Sequence, residues 1–263
     1  MTVSTACLLE HQWRIAAGLA VHARVADRGP ATLPALVLVH GLGMSSRYMA
    51  PLACELASFA RVFAVDLPGF GRSDKPARPL GLVELAETLA SWMRAAGLRA
   101  ATLVGNSYGC QVAVELAVRR PRLVERLVLI GPTTDPAHRT RRAQVARLVL
   151  DGAREPVALL GIAAIDYFRC GTRRLLHGLR DAVEQPLESR LPLVVAPTLV
   201  VRGTRDPLVS AAWAARVASE LPGGRLAVIP GAAHAAHYAD PGSVGRTIKR
   251  FVDEQAPAHL DVA

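Results

Sequence analysis

The chain has 263 residues, of which 51% are apolar and 20% charged, and it carries a formal charge of +9 at neutral pH. That length and apolar content suit one large domain with a sizeable core and exclude global disorder. The positive charge alone would suggest a polyanion partner, but only Lys75 and Lys249 among the 31 basic residues are lysine, a bias that fits a GC-rich coding background rather than nucleic-acid binding.

The N-terminal stretch 1–29 has no basic flank ahead of its apolar residues, and those residues are broken by His, Gln, Arg and Gly. It reads as neither a signal peptide nor a membrane span, and "HQWRIAAGLAVHARVA" suits an antiparallel hairpin at a sheet edge. The four cysteines, Cys7, Cys54, Cys110 and Cys170, lie far apart without zinc-ligand or paired spacing, the pattern of scattered thiols in a reducing cytoplasm. His234-x-x-His237 has no neighbouring ligand cluster. The expectation is a cytoplasmic protein with a small-molecule substrate, no metal, no cofactor, no nucleic-acid partner and no membrane span.

From residue 34 onward, short apolar runs alternate with helix-length segments. Strands are expected at 34–41, 60–69, 99–107, 124–132, 196–204 and 224–231, and helices at 46–59, 80–97, 108–119, 210–221 and 240–254. The strand runs do not alternate apolar with polar residues, as expected for strands covered on both faces. The whole predicts an α/β fold with a mainly parallel sheet of about eight strands and helices on both faces. Between residues 133 and 193 no strand pattern appears, and amphipathic helical stretches follow one another. This segment is expected to be a helical cap, or lid, inserted in a core domain made of 1–132 and 194–263. Its basic run "HRTRRAQVAR" (138–147) has no interleaved aromatics and reads as a solvated helix face.

The first strand with chemistry after it runs into "VHGLGMSS". Gly41 and Gly43 let the backbone approach a ligand closely, which makes Leu42 the expected N–H donor to an oxyanion, with His40 bracing the loop. The strand 99–107 ends in Gly105-x-Ser107-x-Gly109 and is followed directly by a helix. A strand, a one-residue corner and a helix are what a nucleophile elbow requires, and glycines two positions away on each side let strand and helix cross closely. Ser107 is therefore the expected nucleophile and the Tyr108 amide the second oxyanion donor. A serine hydroxyl needs a base, and the base an orienting acid. Asp206 follows the strand 196–204 and His234 follows the strand 224–231, so both should project from the same sheet edge as Ser107. Asp135, after the strand ending at Ile130, is the backup acid.

The motifs "HGLG" (40–43), "DLPGFGRSD" (66–74), "GNSYG" (105–109), "GTRDPLV" (203–209) and "GAAH" followed by "DP" (231–241) together resemble those of the α/β-hydrolase superfamily. The resemblance covers nearly the whole chain except the lid. It implies a Ser107–Asp206–His234 triad and an esterase-like serine hydrolase cleaving an ester, lactone or thioester of a small-to-medium, largely apolar substrate. "GNS" also resembles C–C bond hydrolases, but these carry a tryptophan after the catalytic histidine, where this chain has Ala235. A non-hydrolytic acyltransferase, cyclase or lyase on the same triad is the other alternative. In the lid, Ile162, Ile165, Tyr167 and Phe168 are candidate pocket walls, and His237 a further candidate, with lid arginines as possible receptors for a substrate carboxylate. An unperturbed histidine base predicts that activity falls below about pH 6–7.

Overall fold

The computed structural model describes residues 7–27 and 29–254. Eight strands form one sheet in the order β1-β2-β4-β3-β5-β6-β7-β8. β1 (Glu10–Ala16) and β2 (Leu19–Ala26) make the expected hairpin, and β2 continues antiparallel to β4 (Arg61–Val65). β3 (Ala35–Val39), β5 (Ala101–Asn106), β6 (Val124–Ile130), β7 (Thr198–Gly203) and β8 (Gly224–Ile229) extend the sheet in parallel. All of their C-terminal ends therefore open at one edge, the edge where ligands bind in open α/β sheets.

The lack of polar alternation in the strands has a direct cause. In β3, Val37 and Val39 enter one core layer while Leu36 and Leu38 enter the other. The first layer is closed by α2 (Leu82–Ala95), α3 (Tyr108–Arg119) and α7 (Ala211–Glu220), through Leu89, Trp92, Leu116 and Trp213. The second is closed by α1 (Ser46–Leu56) and α9 (Pro241–Glu254), through Met49, Leu52, Ile248 and Phe251. With both faces covered, every strand position of β3 is buried.

Asp66, just past β4, ties the layers together. Its carboxylate accepts from His22 Nδ1 at 2.7 Å, from the Ser46 N–H at the start of α1, and from the Arg72 N–H at 2.8 Å. Burial works against its charge, but these donors, His22 foremost, hold its carboxyl down at about 2.

Between β6 and β7 the chain forms α4 (Arg141–Gly152), α5 (Val157–Cys170) and α6 (Thr172–Glu184) and no strand. Thr140 caps α4 by accepting from the Ala143 N–H at 3.2 Å. Arginines of this insertion reach core loops: Arg147 donates to the Pro207 carbonyl, Arg154 to the Arg205 carbonyl and Arg174 to the Pro76 carbonyl.

The cysteines depart from the expectation of four separate thiols. Cys7 and Cys54 form a disulfide that joins the start of the described chain to α1, while Cys110 and Cys170 are free and buried. The pairing was invisible in the sequence because 47 positions separate the two residues. Among the described residues, no helix is long and apolar enough to cross a membrane.

Candidate active site

Ser107 sits between β5 and α3 with φ 56° and ψ −121°, a left-handed conformation that is costly for a residue with a side chain. The crossing around it leaves no space for Cβ atoms. One on Gly105 would lie 2.5 Å from the Gly109 carbonyl oxygen, and one on Gly109 would lie 2.4 Å from that of Val39. The two glycines therefore make the corner possible, and Tyr108 begins α3, so its N–H is among the first-turn donors that no helix carbonyl reaches.

The loop after β3 passes beside this corner. A Cβ on Gly41 would lie 3.3 Å from that of Ser107, and Gly43 has φ 76° with Tyr167 and Leu175 packed over it. His40 is wholly buried and braces the loop from within. Its Nε2 accepts from the Leu67 N–H at 3.1 Å, so Nδ1 carries the proton and donates to the Gly41 carbonyl at 2.8 Å. Burial lowers its pKa and keeps it neutral. Leu42 is held between these two anchors, and it lines the same cavity as Ser107.

Asp206 and His234 meet as the chain order requires. His234 Nδ1 is 2.8 Å from Asp206 Oδ2, while Asp206 Oδ1 accepts from the Leu208 and Val209 N–H groups at 2.8 and 3.0 Å. The turn after β7 thus fixes the carboxylate before the histidine arrives. His234 Nε2 is buried without a hydrogen-bond partner, and the ring is not bonded to the Ser107 hydroxyl, although both residues line one cavity. Burial disfavours the imidazolium, but Asp206 beside it, joined by Asp151 and Glu155, more than offsets this and raises its pKa to about 9. Asp135 is engaged elsewhere: it accepts from the Ser210 hydroxyl at 2.6 Å and caps a short turn through the Ala137 N–H.

The cavity has a volume of about 390 Å³ and lies between this edge and the helical insertion. Its walls are mainly apolar, with Leu148, Leu159, Ala163, Leu175 and Leu179 from α4, α5 and α6. Of the expected wall residues, Tyr167 lines it. Ile162, Ile165, Phe168 and His237 do not. α5 turns Leu159, Leu160, Ala163 and Tyr167 inward at helical spacing, which places Phe168 on the outer surface at 89% exposure and leaves Ile165 half exposed. Ile162 packs against the second core layer. His237 is buried edge-on against Tyr48, their ring centres 4.3 Å apart.

Among the further polar residues that line the cavity are Asn106, Asp151 and Glu155. Asn106 Nδ2 donates to the Ile130 carbonyl at 3.2 Å and approaches that of His234 at 3.5 Å. Asp151 Oδ1 accepts from the His234 N–H at 3.1 Å, and Glu155 Oε1 from the Ala235 N–H at 2.6 Å. Burial raises the pKa of both acids, that of Glu155 to about 7. The only trace of these two in the sequence is their spacing, one helical turn apart in a segment otherwise apolar and arginine-rich. Among the described residues, no arginine or lysine lines the cavity.

Residues 36–246 match the Alpha/beta hydrolase family. A pimeloyl-[acyl-carrier protein] methyl ester esterase of Stenotrophomonas maltophilia is 30% identical, over 90% of this chain and 98% of that protein. Among solved structures, a membrane phospholipase A described as a bacterial virulence factor superposes with a TM-score of 0.81 at 24% identity, over 95% of this chain and 88% of that one. A thermophilic esterase from Thermogutta terrifontis gives 0.80 at 20% identity, over 94% of this chain and all of the other. With a glycine-flanked serine at the sheet edge, a paired aspartate and histidine beside it and a family match spanning most of its length, the chain belongs to the alpha/beta hydrolase family.

Proposed function

We propose that the chain hydrolyses uncharged carboxylic esters, lactones or thioesters with a small-to-medium apolar acyl group, through an acyl-enzyme on Ser107 and beneath a lid formed by residues 133–193. The observation that carries this reading is Ser107 in its left-handed corner, sharing an apolar cavity of about 390 Å³ with the Asp206–His234 pair. That volume falls within the range of small-molecule sites.

In this mechanism the Ser107 Oγ attacks the substrate carbonyl carbon while His234 Nε2 takes the hydroxyl proton. Asp206 holds the ring by Nδ1 and stabilises the imidazolium that forms. The Leu42 and Tyr108 N–H groups receive the oxyanion, where one lost donor costs about 3–4 kcal/mol. His234 then protonates the leaving alcohol, and a water activated by the same nitrogen releases the acid. The C–C hydrolase alternative finds less support. The lid arginines Arg147, Arg154 and Arg174 reach core carbonyls, and the charged groups lining the cavity are carboxylates and His234. A substrate carboxylate would meet like charge there.

The test is turnover of chromogenic esters from acetyl to dodecanoyl, with Ser107→Ala as control. The expected result is an optimum at medium chain length in the native protein and no turnover in the variant. A native protein silent across the series, or a fully active variant, overturns the reading.

A further inference from the structure

The insertion does more than roof the cavity. At the end of α4 the chain turns through 151–155, where the Arg154 and Glu155 N–H groups both bond to the Asp151 carbonyl at 2.7 and 3.1 Å. This turn sets the Asp151 and Glu155 side chains on the same side, against two successive N–H groups of the loop between β8 and α8 (Ala236–Ala239). From the core, the His234 carbonyl gains one long contact of 3.5 Å from Asn106. Bonds from a carboxylate to a backbone N–H are charge-assisted and stronger than neutral ones. The same turn also reaches the acid loop, because Arg154 donates to the Arg205 carbonyl at 2.8 Å, and Arg147, one turn earlier in α4, donates to that of Pro207. One end of α4 is thus strapped across both loops that carry the histidine and its aspartate.

We propose that Asp151 and Glu155 are positioning residues for His234: they fix its loop through the His234 and Ala235 N–H groups and add negative charge beside the ring, so that the base is fully assembled only while the lid is seated. The inference rests on His234 being the base of the proposed ester hydrolysis. The charged and titratable groups facing His234 are Asp206 from the β7 turn, Asp151 and Glu155 from the lid, and His237 from α8. Tyr48 of α1 stands behind His237, and Arg154 partly counters Asp151. Burial drives His237 down to about 3, so it stays neutral across the working range, and Tyr48 is pushed above its ordinary range. The lid carboxylates are therefore the groups besides Asp206 that raise the ring's basicity.

The experiment compares the native protein with two double variants, Asp151→Ala/Glu155→Ala and Asp151→Asn/Glu155→Gln. It measures kcat, KM, the pH profile of kcat/KM, the rate of Ser107 labelling by a fluorophosphonate, and the thermal midpoint. The alanine pair removes the acceptors, and kcat and the labelling rate should fall together by about tenfold or more, while KM changes little. The amide pair keeps acceptor oxygens without charge. It should recover most of the lost kcat and move the acid limb down by at least about half a pH unit, since a neighbouring carboxylate no longer favours the imidazolium. Native kcat in the alanine pair overturns the proposal. So do equal losses in both pairs with an unmoved acid limb, which would reduce the two residues to packing. A native protein that is neither labelled nor active overturns the ester-hydrolase reading itself, and this inference with it.

Discussion

His234 is where the local chemistry turns against the simplest expectation. An unperturbed imidazole would lose its base form below about pH 6–7. Here burial opposes protonation, yet Asp206, Asp151 and Glu155 win, and the pKa rises to about 9. The neutral ring that the proposed attack requires then accumulates only as pH rises towards 9. Stability moves the other way: a histidine whose folded pKa exceeds its unfolded value contributes fully below about 6.5, and that contribution is lost as pH rises through about 9. The expected outcome is a kcat/KM that climbs between pH 7 and 9 while the thermal midpoint declines. An acid limb at or below pH 6.5 would show that the carboxylates do not act on the ring in this way. The aspartate gives a second prediction. Asp206→Asn should cost about 10⁴ in kcat, because the amide favours the wrong ring tautomer. Asp135→Asn, whose carboxylate is bonded to Ser210, should leave turnover close to native. The opposite result would exchange their roles. The placement of Ser107, Asp206 and His234 at one sheet edge was legible because the fold dictates where strand ends go. That of Asp151 and Glu155 was not, because nothing local in the sequence says which loop a helix of the insertion will touch.

At the scale of elements, the strands and the helices α1, α2, α3, α7 and α9 matched their sequence signals to within a few residues. α1 ends at Leu56 rather than 59 because β4 begins at Arg61 and the chain must first turn. α5 shows the limit of periodicity. "VALLGIAAIDYFRC" is apolar on almost every side, so its sequence does not say which stripe faces inward. That is why Phe168 and Ile165 were expected in the pocket, while Leu159 and Ala163 occupy it. The Cys7–Cys54 bond was likewise beyond local reading, and it bears on where the chain resides, since separate thiols were the premise for a reducing compartment. Closing a loop with a sequence separation of 47 stabilises by up to about 4 kcal/mol through chain entropy. A reductant should therefore lower the denaturation midpoint of the native protein, and Cys7→Ser should abolish the dependence. A midpoint indifferent to reductant would mean that the bond does not form in solution.

Across the whole molecule, the division of labour follows the sheet. Its two covered faces bury the core, and its C-terminal edge gathers loops from β3, β5, β7 and β8 into one cavity. This much was implied by the alternation of strand and helix, since parallel strands joined by right-handed crossovers can open only at one edge. The reach of the insertion over that edge is a tertiary fact: its arginines hold it to core carbonyls that have no distinguishing sequence.

The outward stripe of α5 has a colloidal consequence. Val157 is 83% exposed and Phe168 89%, one on each end of the same helix. Apolar surface of this kind favours association of like copies unless something keeps them apart. Here the barrier is electrostatic, since a formal charge of +9 makes the copies repel at neutral pH. The repulsion fades on approach to the pI near 10.2, and added salt screens it at any pH. Light scattering should therefore record aggregation rising with ionic strength and from pH 9 upward, and Phe168→Ser should reduce both. The alkaline range that would free the histidine for the proposed attack is thus also the range in which the protein is hardest to keep dispersed.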